Sequence, residues 1–246
     1  MKGNESSPPG REPTSVAVVI PVYNEESVLA QSIDTLRQFL EREFAARWTI
    51  VIADNGSTDG TCQVAQELTQ RHPNVAVLHL DQKGRGRALR RALLESTADV
   101  VAYMDVDLST DLESFPELVQ AIEEGYGIAI GSRLIPQSSV ERCFKREVTS
   151  RVYNLLLRAM FRTDYHDAQC GFKALSRQAA RDVLPLTRNH KWFFDTEMLL
   201  IAHRRGYRIK EVPVKWTEDP DSKVSIVDTS IEYVKELLRM RFRPPR

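Results

Sequence analysis

A chain of 246 residues and 28.1 kDa, 42% hydrophobic and 28% charged, has a soluble globular composition and can bury a core without disulfide or zinc staples. Its three cysteines (Cys62, Cys143, Cys170) lack CxxC spacing, which speaks against a disulfide framework or structural zinc and fits a reducing compartment. Thirty-four Lys/Arg balance thirty-four Asp/Glu, which excludes a strongly basic nucleic-acid binder; no apolar run reaches the roughly 18–20 residues of a membrane span, and no export signal is visible.

Residues 1–15 are rich in Pro, Gly and Ser and read as a disordered lead-in. Val16–Val22 is a buried strand, and apolar spacing predicts a helix over 25–44. Strands follow at 48–53, 75–80 and 100–104, with helices at 59–71 and 87–96 between them. A helix near 114–124 and a strand at 128–131 continue the alternation. Such alternation predicts an α/β fold with a mostly parallel sheet, of Rossmann-like architecture. Beyond Gly131 the pattern changes to a long basic helix at 140–162, a Cys/Gly segment, a helix at 196–205, a strand at 208–215 and a final helix at 229–241. We read one domain over 16–246, with a nucleotide-binding half at 16–132 and an acceptor-shaping half at 133–246.

Charge is unevenly spread. Residues 133–162 carry seven Lys/Arg against two Glu, and residues 235–246 five against one. The expected partner of these basic segments is an anionic surface.

Ligands of open α/β sheets bind beyond the carboxyl ends of the strands. Four polar loops stand there: Pro21, Tyr23, Asn24 and Glu25; Asp54 to Gly60; Lys83-Gly84-Arg85-Gly86-Arg87; and Asp105-Val106-Asp107. Asp105 and Asp107 are hard oxygen ligands suited to Mg²⁺ or Mn²⁺, which keep waters and accept diphosphate oxygens. Their bland reading is a helix cap or a solvated loop. Asp54 can accept a ring N–H of a base, whereas Asp59 reads as a cap. The glycine pair opening a helix lets backbone N–H groups approach phosphates, while Lys83 and Arg87 also read as plain surface charges.

Together PVYNE (21–25), DNGSTDGT (54–61), KGRGRAL (83–89) and DVDLS (105–109) resemble family 2 glycosyltransferases of the GT-A fold. GSR (131–133), KREVTSR (145–151), DAQCGFKAL (167–175), WFFDTEML (192–199) and EVPVKW with DSKV (211–224) look more narrowly like the dolichyl-phosphate β-glucosyltransferase group. The resemblance runs from about Val16 to Tyr233. It implies an inverting transfer of a hexose, glucose from UDP-glucose first, onto a polyprenyl or dolichyl phosphate. The alternatives are GDP-mannose as donor or a soluble glycan as acceptor. It places Pro21, Tyr23, Glu25, Asp54, Lys83, Gly84, Arg87 and Asp105 on the nucleotide sugar and the metal on Asp105 and Asp107. Arg133, Arg146, Ser150, Asp195, Glu197 and Lys223 fall on the acceptor side, and Asp167 joins the catalytic set. Asp167, Asp195 and Glu197 also read as buried salt-bridge partners, and His166 and His203 as structural. Two departures stand out: Asn55 replaces a usual Asp, and the eukaryotic group's N-terminal membrane helix has no counterpart here.

In such a reaction the lipid phosphate is already ionised, its second pKa lying near 6, so a general base is optional. Positive charge must hold two anionic partners in line, and forked Arg contacts suit phosphate. On the helix after Arg146, Val148, Val152, Leu155, Leu156, Ala159 and Met160 form an apolar stripe flanked by Arg151, Arg158 and Arg162. A core helix with snorkelling arginines and an interfacial helix on anionic lipid share that pattern. The expected location is the cytoplasmic face of a membrane, peripherally bound, with no nucleic-acid partner; a homo-oligomer is left open. Three rivals have less in the residues. An aspartyl-phosphate phosphatase opens its domain with DxD, whereas three βα units precede it here. A dehydrogenase needs GxGxxG after the first strand, where Tyr23-Asn24-Glu25 stand. A non-catalytic nucleotide-sugar binder does not need the intact Asp105/Asp107 pair with Arg133.

Overall fold

A computed structural model describes residues 14–141, 144–217 and 226–243, with the backbone alone for 144–146 and 226–231. Seven strands form one sheet: β1 (Ser15–Val22), β2 (Arg47–Asp54), β3 (Val75–His79), β4 (Val100–Tyr103), β5 (Ile128–Ser132), β7 (Lys173–Ser176) and β8 (Ile209–Pro213). Their order is β3-β2-β1-β4-β7-β5-β8. All pairs are parallel except those of β7, which runs antiparallel between β4 and β5. Short strands β6 (Ser139–Glu141) and β9 (Lys215–Thr217) pair separately.

β1 alternates its side chains between two cores. Val16, Val18, Ile20 and Val22 face one side of the sheet, and Ala17 and Val19 the other. On the first side lie α1 (Leu29–Glu43), α2 (Thr61–Arg71) and α4 (Phe115–Glu123); α1 buries Leu29, Ile33, Leu36 and Leu40 at helical spacing. On the second lie α3 (Arg85–Glu95), α6 (Arg177–Val183) and α7 (Phe194–Arg204), joined by α5 (Phe144–Phe161) and α8 (Ile226–Phe242). The chain leaves β1 in one direction towards β2 and β3 and returns to β4 on the other side. That reversal opens a crevice at the carboxyl ends of β1 and β4.

The structure corrects several expected bounds. β1 starts at Ser15, whose hydroxyl and amide bind Asp99, so residue 15 belongs to the sheet; residues 1–13 of the expected lead-in lie outside the described residues. α1 starts at Leu29 because 24–26 are tied to the 57–61 loop. The basic helix starts at 144, since 139–141 pair with β9 instead. The segment after Cys170 supplies β7 and then α6, capped by Ser176 accepting from the Ala179 N–H.

Candidate active site

Side-chain bonds to backbone zip the first two loops together. Asn24, in the left-handed region at φ 55°, donates its N–H to Ser57 Oγ (3.0 Å) and accepts from the Thr58 N–H (2.8 Å). The Glu25 N–H donates to Thr61 Oγ1 (2.8 Å). Asn55 is a buried bracket: its Nδ2 donates to the Val22 carbonyl (2.9 Å) and its Oδ1 accepts from the Gly84 N–H (2.8 Å). A carboxylate at 55 could not make the first bond, so the amide ties β1 to the glycine loop. Asp59 accepts from the Thr61 N–H and from the Glu26 N–H, as a loop cap does.

Asp54 is fully buried, with Oδ1 accepting from the Ser57 N–H (3.1 Å) and Oδ2 2.7 Å from His79 Nδ1. Pro21 is buried in β1 opposite Ala53. Tyr23 lies at the crevice, with Lys83 Nζ 3.5 Å from its ring centroid. Those two residues of the expected donor set meet directly.

Arg85, rather than Arg87, reaches the centre. α3 begins at Arg85, two residues earlier than expected, and this turns the guanidinium inward. Its Nη2 binds Asp105 Oδ1 and its Nη1 binds Asp195 Oδ2, both at 2.7 Å, while the Trp192 ring lies 4.9 Å away. Burial alone would lower the Arg85 pKa; the two carboxylates more than reverse that and raise it. Asp195 also accepts from Lys173 Nζ (2.7 Å) and the Tyr103 hydroxyl (2.5 Å). Burial pushes Asp195 upward, and Lys173 and Arg85 overcome it, so its carboxyl is held below the usual range. Arg87 instead donates to the Gln82 and Lys83 carbonyls and lines a separate cavity of about 430 Å³ with Leu80, Arg90 and Leu94.

The glycines of this loop have a steric reason. A β-carbon on Gly86 would stand 2.6 Å from Phe194 Cβ, and one on Gly84 2.7 Å from the His190 carbonyl. The 189–194 segment therefore packs directly on the loop. Asp105 retains 41% side-chain exposure although Arg85 holds Oδ1. Asp107 Oδ1 accepts from the Ser109 N–H (3.0 Å), and Leu108 between them is left-handed at φ 50°. A left-handed leucine is strained, and this one sits inside the acidic motif.

Arg133 follows β5. Its Nε and Nη2 grip the two oxygens of Asp167 at 2.8 and 3.0 Å, and its own N–H reaches Asp167 Oδ2. Burial works against the Asp167 charge, but the Arg133 guanidinium prevails and holds the carboxyl at about 2. His166 and the Asp167 N–H are both held by Glu211. Arg133 lines a second cavity of about 430 Å³ with Ser138, Val140, Glu147 and Arg151. On α5, the buried Ser150 hydroxyl has no partner among the described residues.

Glu197 is fully buried, accepting from the Arg188 and Asn189 N–H groups and from Arg239 Nη2, and so ties the 188–189 turn to α8. Asp195 likewise faces Arg85, Lys173 and Tyr103 within the protein. Arg146 falls in the first turn of α5 with its side chain outside the described residues, and Lys223 lies outside them altogether.

Sequence reasoning passed over Arg85, Lys173, Gly171 and Trp192. A lysine between Phe172 and Ala174, in an otherwise apolar run, was the one available signal for a buried, paired charge.

The donor set of Asp105 and Asp107 fits an oxygen-loving divalent cation. Among the described residues no third carboxylate, His or Cys joins them in a protein cage, as suits an ion that takes its remaining ligands from water and substrate phosphates.

A mostly parallel sheet with acidic, glycine-rich and tyrosine loops at its switch point defines an α/β protein of GT-A architecture. Residues 17–184 match the family described as Glycosyl transferase family 2, and the chain belongs to that family. It is 38% identical over 230 residues to glycosyltransferase AglD of Haloferax volcanii, covering 91% of this chain and 36% of that protein. It is 31% identical to the dolichyl-phosphate β-glucosyltransferase of Dictyostelium discoideum, covering 93% of this chain and 74% of that one. The human enzyme of the same name is also 31% identical, with 93% and 75% covered. The chain thus spans about a third of AglD and three-quarters of these glucosyltransferases. The fold is shared with glucosyl-3-phosphoglycerate synthase of Mycobacterium tuberculosis, solved with Mn²⁺, UDP and phosphoglyceric acid. That match has a TM-score of 0.70 at 19% identity and covers 95% of this chain and 80% of the other.

Proposed function

We propose that this glycosyltransferase moves glucose from UDP-glucose, with inversion, onto a polyprenyl or dolichyl phosphate at a membrane surface. The observation that carries the reading is the placement of Arg133. Asp167 locks its fork beside a cavity bordered by α5, whose opposite face is apolar and exposed. The similarity to dolichyl-phosphate β-glucosyltransferases supports the acceptor class.

Donor binding is assigned to the Tyr23–Lys83 pair, the Gly84 loop and the buried Asp54. Asp105 and Asp107 would hold Mg²⁺ or Mn²⁺, which when bound neutralises charge on the diphosphate. Arg85 fixes Asp105 by one oxygen and is itself fixed by Asp195, so the acidic motif needs no rearrangement during reaction. Arg133, together with the unpartnered Ser150 hydroxyl, receives the acceptor phosphate. A phosphate oxygen then attacks the anomeric carbon, the bond to the diphosphate breaks, and UDP carries away the electron pair. With the acceptor already anionic, the chain supplies orientation rather than a base.

Membrane contact is assigned to α5 and α8. Val148, Val152, Leu155 and Leu156 on one helix and Val234, Leu238 and Phe242 on the other make up most of the exposed large apolar side chains. Leu157, Asn154 and Ser150 form the inward face of α5, so the stripe that a core helix would bury faces outward. Exposed Arg151 and Arg158 flank it, complementing anionic lipid on the cytoplasmic face. No helix among the described residues is long and apolar enough to cross a membrane.

The test is a panel of radiolabelled UDP-glucose, UDP-galactose and GDP-mannose with short polyprenyl phosphates. Lipid-extractable label from UDP-glucose is expected; label only from GDP-mannose, or only on soluble glycans, would replace the reading.

A further inference from the structure

Outside the acidic motif, the described residues hold one mixed group of metal-ligating side chains: Asp54, Cys62 and His79. Their ligand atoms all lie within 4.8 Å of one another. We infer that these three residues form a second cation site, selective for zinc-type ions, at the base end of the donor crevice.

Backbone geometry prearranges the site. Asp54 and His79 end adjacent parallel strands and are register partners, with Asp54 Oδ2 2.7 Å from His79 Nδ1. Cys62 approaches from the first turn of α2. Zinc bonds of about 2.0–2.3 Å set tetrahedral ligand atoms roughly 3.3–3.8 Å apart, so side-chain adjustments of about 1 Å suffice. Three protein ligands leave a fourth position for water.

A polar group stands close to each ligand. His79 Nε2 lies 3.7 Å from Asp81 Oδ1, so a ring bound through Nδ1 points its remaining N–H at a carboxylate. Asp54 Oδ1 is steadied by the Ser57 N–H, and Gln66 Nε2 lies 3.7 Å from the Cys62 sulfur. One thiolate, one imidazole and one carboxylate suit zinc, whereas two bare carboxylates at 105 and 107 suit Mg²⁺ or Mn²⁺. The chain therefore separates two cations by ligand softness. Cysteine spacing in the sequence gives no hint of this, because the ligands come from three different elements.

A functional consequence rests on the donor reading of Asp54. Zinc at this position occupies the carboxylate assigned to the base, so it opposes UDP binding.

The experiment uses the full chain stripped with chelator and titrated with zinc chloride by calorimetry, and with Co²⁺ to detect thiolate charge-transfer absorption. One zinc per chain is expected, weakened at least tenfold by Cys62→Ser and by His79→Gln and unchanged by Asp107→Ala. Circular dichroism of the metal-free variants checks that they fold. Equal zinc binding by wild type and Cys62→Ser, or loss on Asp107→Ala alone, would overturn the site. In a second arm UDP is titrated with and without zinc. At least tenfold weaker UDP binding in wild type, absent in Cys62→Ser, supports the antagonism; indifference of UDP to bound zinc overturns it. Failure to bind UDP even without zinc would count against the donor reading and leave the zinc site standing.

Discussion

Gly171 lies directly beneath the Asp105 carboxylate, so close that a β-carbon at that glycine would overlap Oδ2. Arg85 holds the other oxygen, and the carboxylate is thereby fixed from two sides by residues 66 and 20 positions away.

Replacing Gly171 with alanine must therefore displace Asp105. Transfer should fall on the order of 100-fold, the usual consequence of misplacing a reacting group by about 1 Å. Fold should persist, because Asp105 is partly exposed and can yield. Steady-state kinetics with a circular-dichroism melt checks both halves; unchanged kcat/KM would show that Asp105 needs no fixed position.

Arg85→Ala leaves buried Asp195 with Lys173 and Tyr103 but strips Asp105 of its cation. Because Asp195 keeps Lys173 and Asp105 is partly exposed, the loss should fall below the about 3–5 kcal/mol of a fully stranded buried charge, and denaturant unfolding measures it. Arg85→Lys offers one ammonium where the guanidinium reached two carboxylates, and should recover only part of that loss.

The Arg133–Asp167 pair has a pH signature. Asp167 is depressed to about 2 from an ordinary 3.8, so the native state favours its ionised form. Its stabilisation is complete above pH 3.8 and disappears as pH falls from there through about 2. Asp167→Asn should flatten the stability profile in that acid window and leave its shape near neutrality alone. Arg133→Lys should raise KM for lipid phosphate more than for UDP-glucose, because the forked grip on Asp167 that positions the side chain is lost while the charge stays. Equal effects on both substrates would make Arg133 a general structural residue.

Leu155 and Leu156 are 64% and 50% exposed, so aspartates there should leave the melting temperature within about 1 °C. Binding to vesicles containing anionic lipid should drop at least tenfold in co-sedimentation. Vesicle binding equal to wild type would remove α5 from the membrane surface.

Much of this site was legible before folding because strand-end loops are readable wherever β-branched runs end in polar clusters. Val16–Val22, Val75–Leu80 and Val100–Met104 pointed to Tyr23, Lys83 and Asp105 within three residues. The second half was harder. β7 is four residues with a lysine at its head, antiparallel in a parallel sheet, and nothing local distinguishes it from a loop. Arg85 and Arg87 are equivalent in sequence, but two positions apart on a helix they point to opposite sides, and only Arg85 meets Asp105 and Asp195. Glu197 entered the expected site through the family resemblance, with a buried salt-bridge partner as its other reading. Tertiary packing instead turns it onto the 188–189 backbone and Arg239. The outward apolar stripe of α5 was visible as a stripe, but its direction depended on Leu157 and Asn154 finding the core.

The most direct measurement is the anomeric configuration of the lipid product made by the purified chain from UDP-glucose and a polyprenyl phosphate. The account predicts a β-linked glucosyl phosphate that requires added Mg²⁺ or Mn²⁺ and is not formed by Asp107→Ala. An α-linked product, or transfer undiminished in that variant at saturating donor, would contradict it.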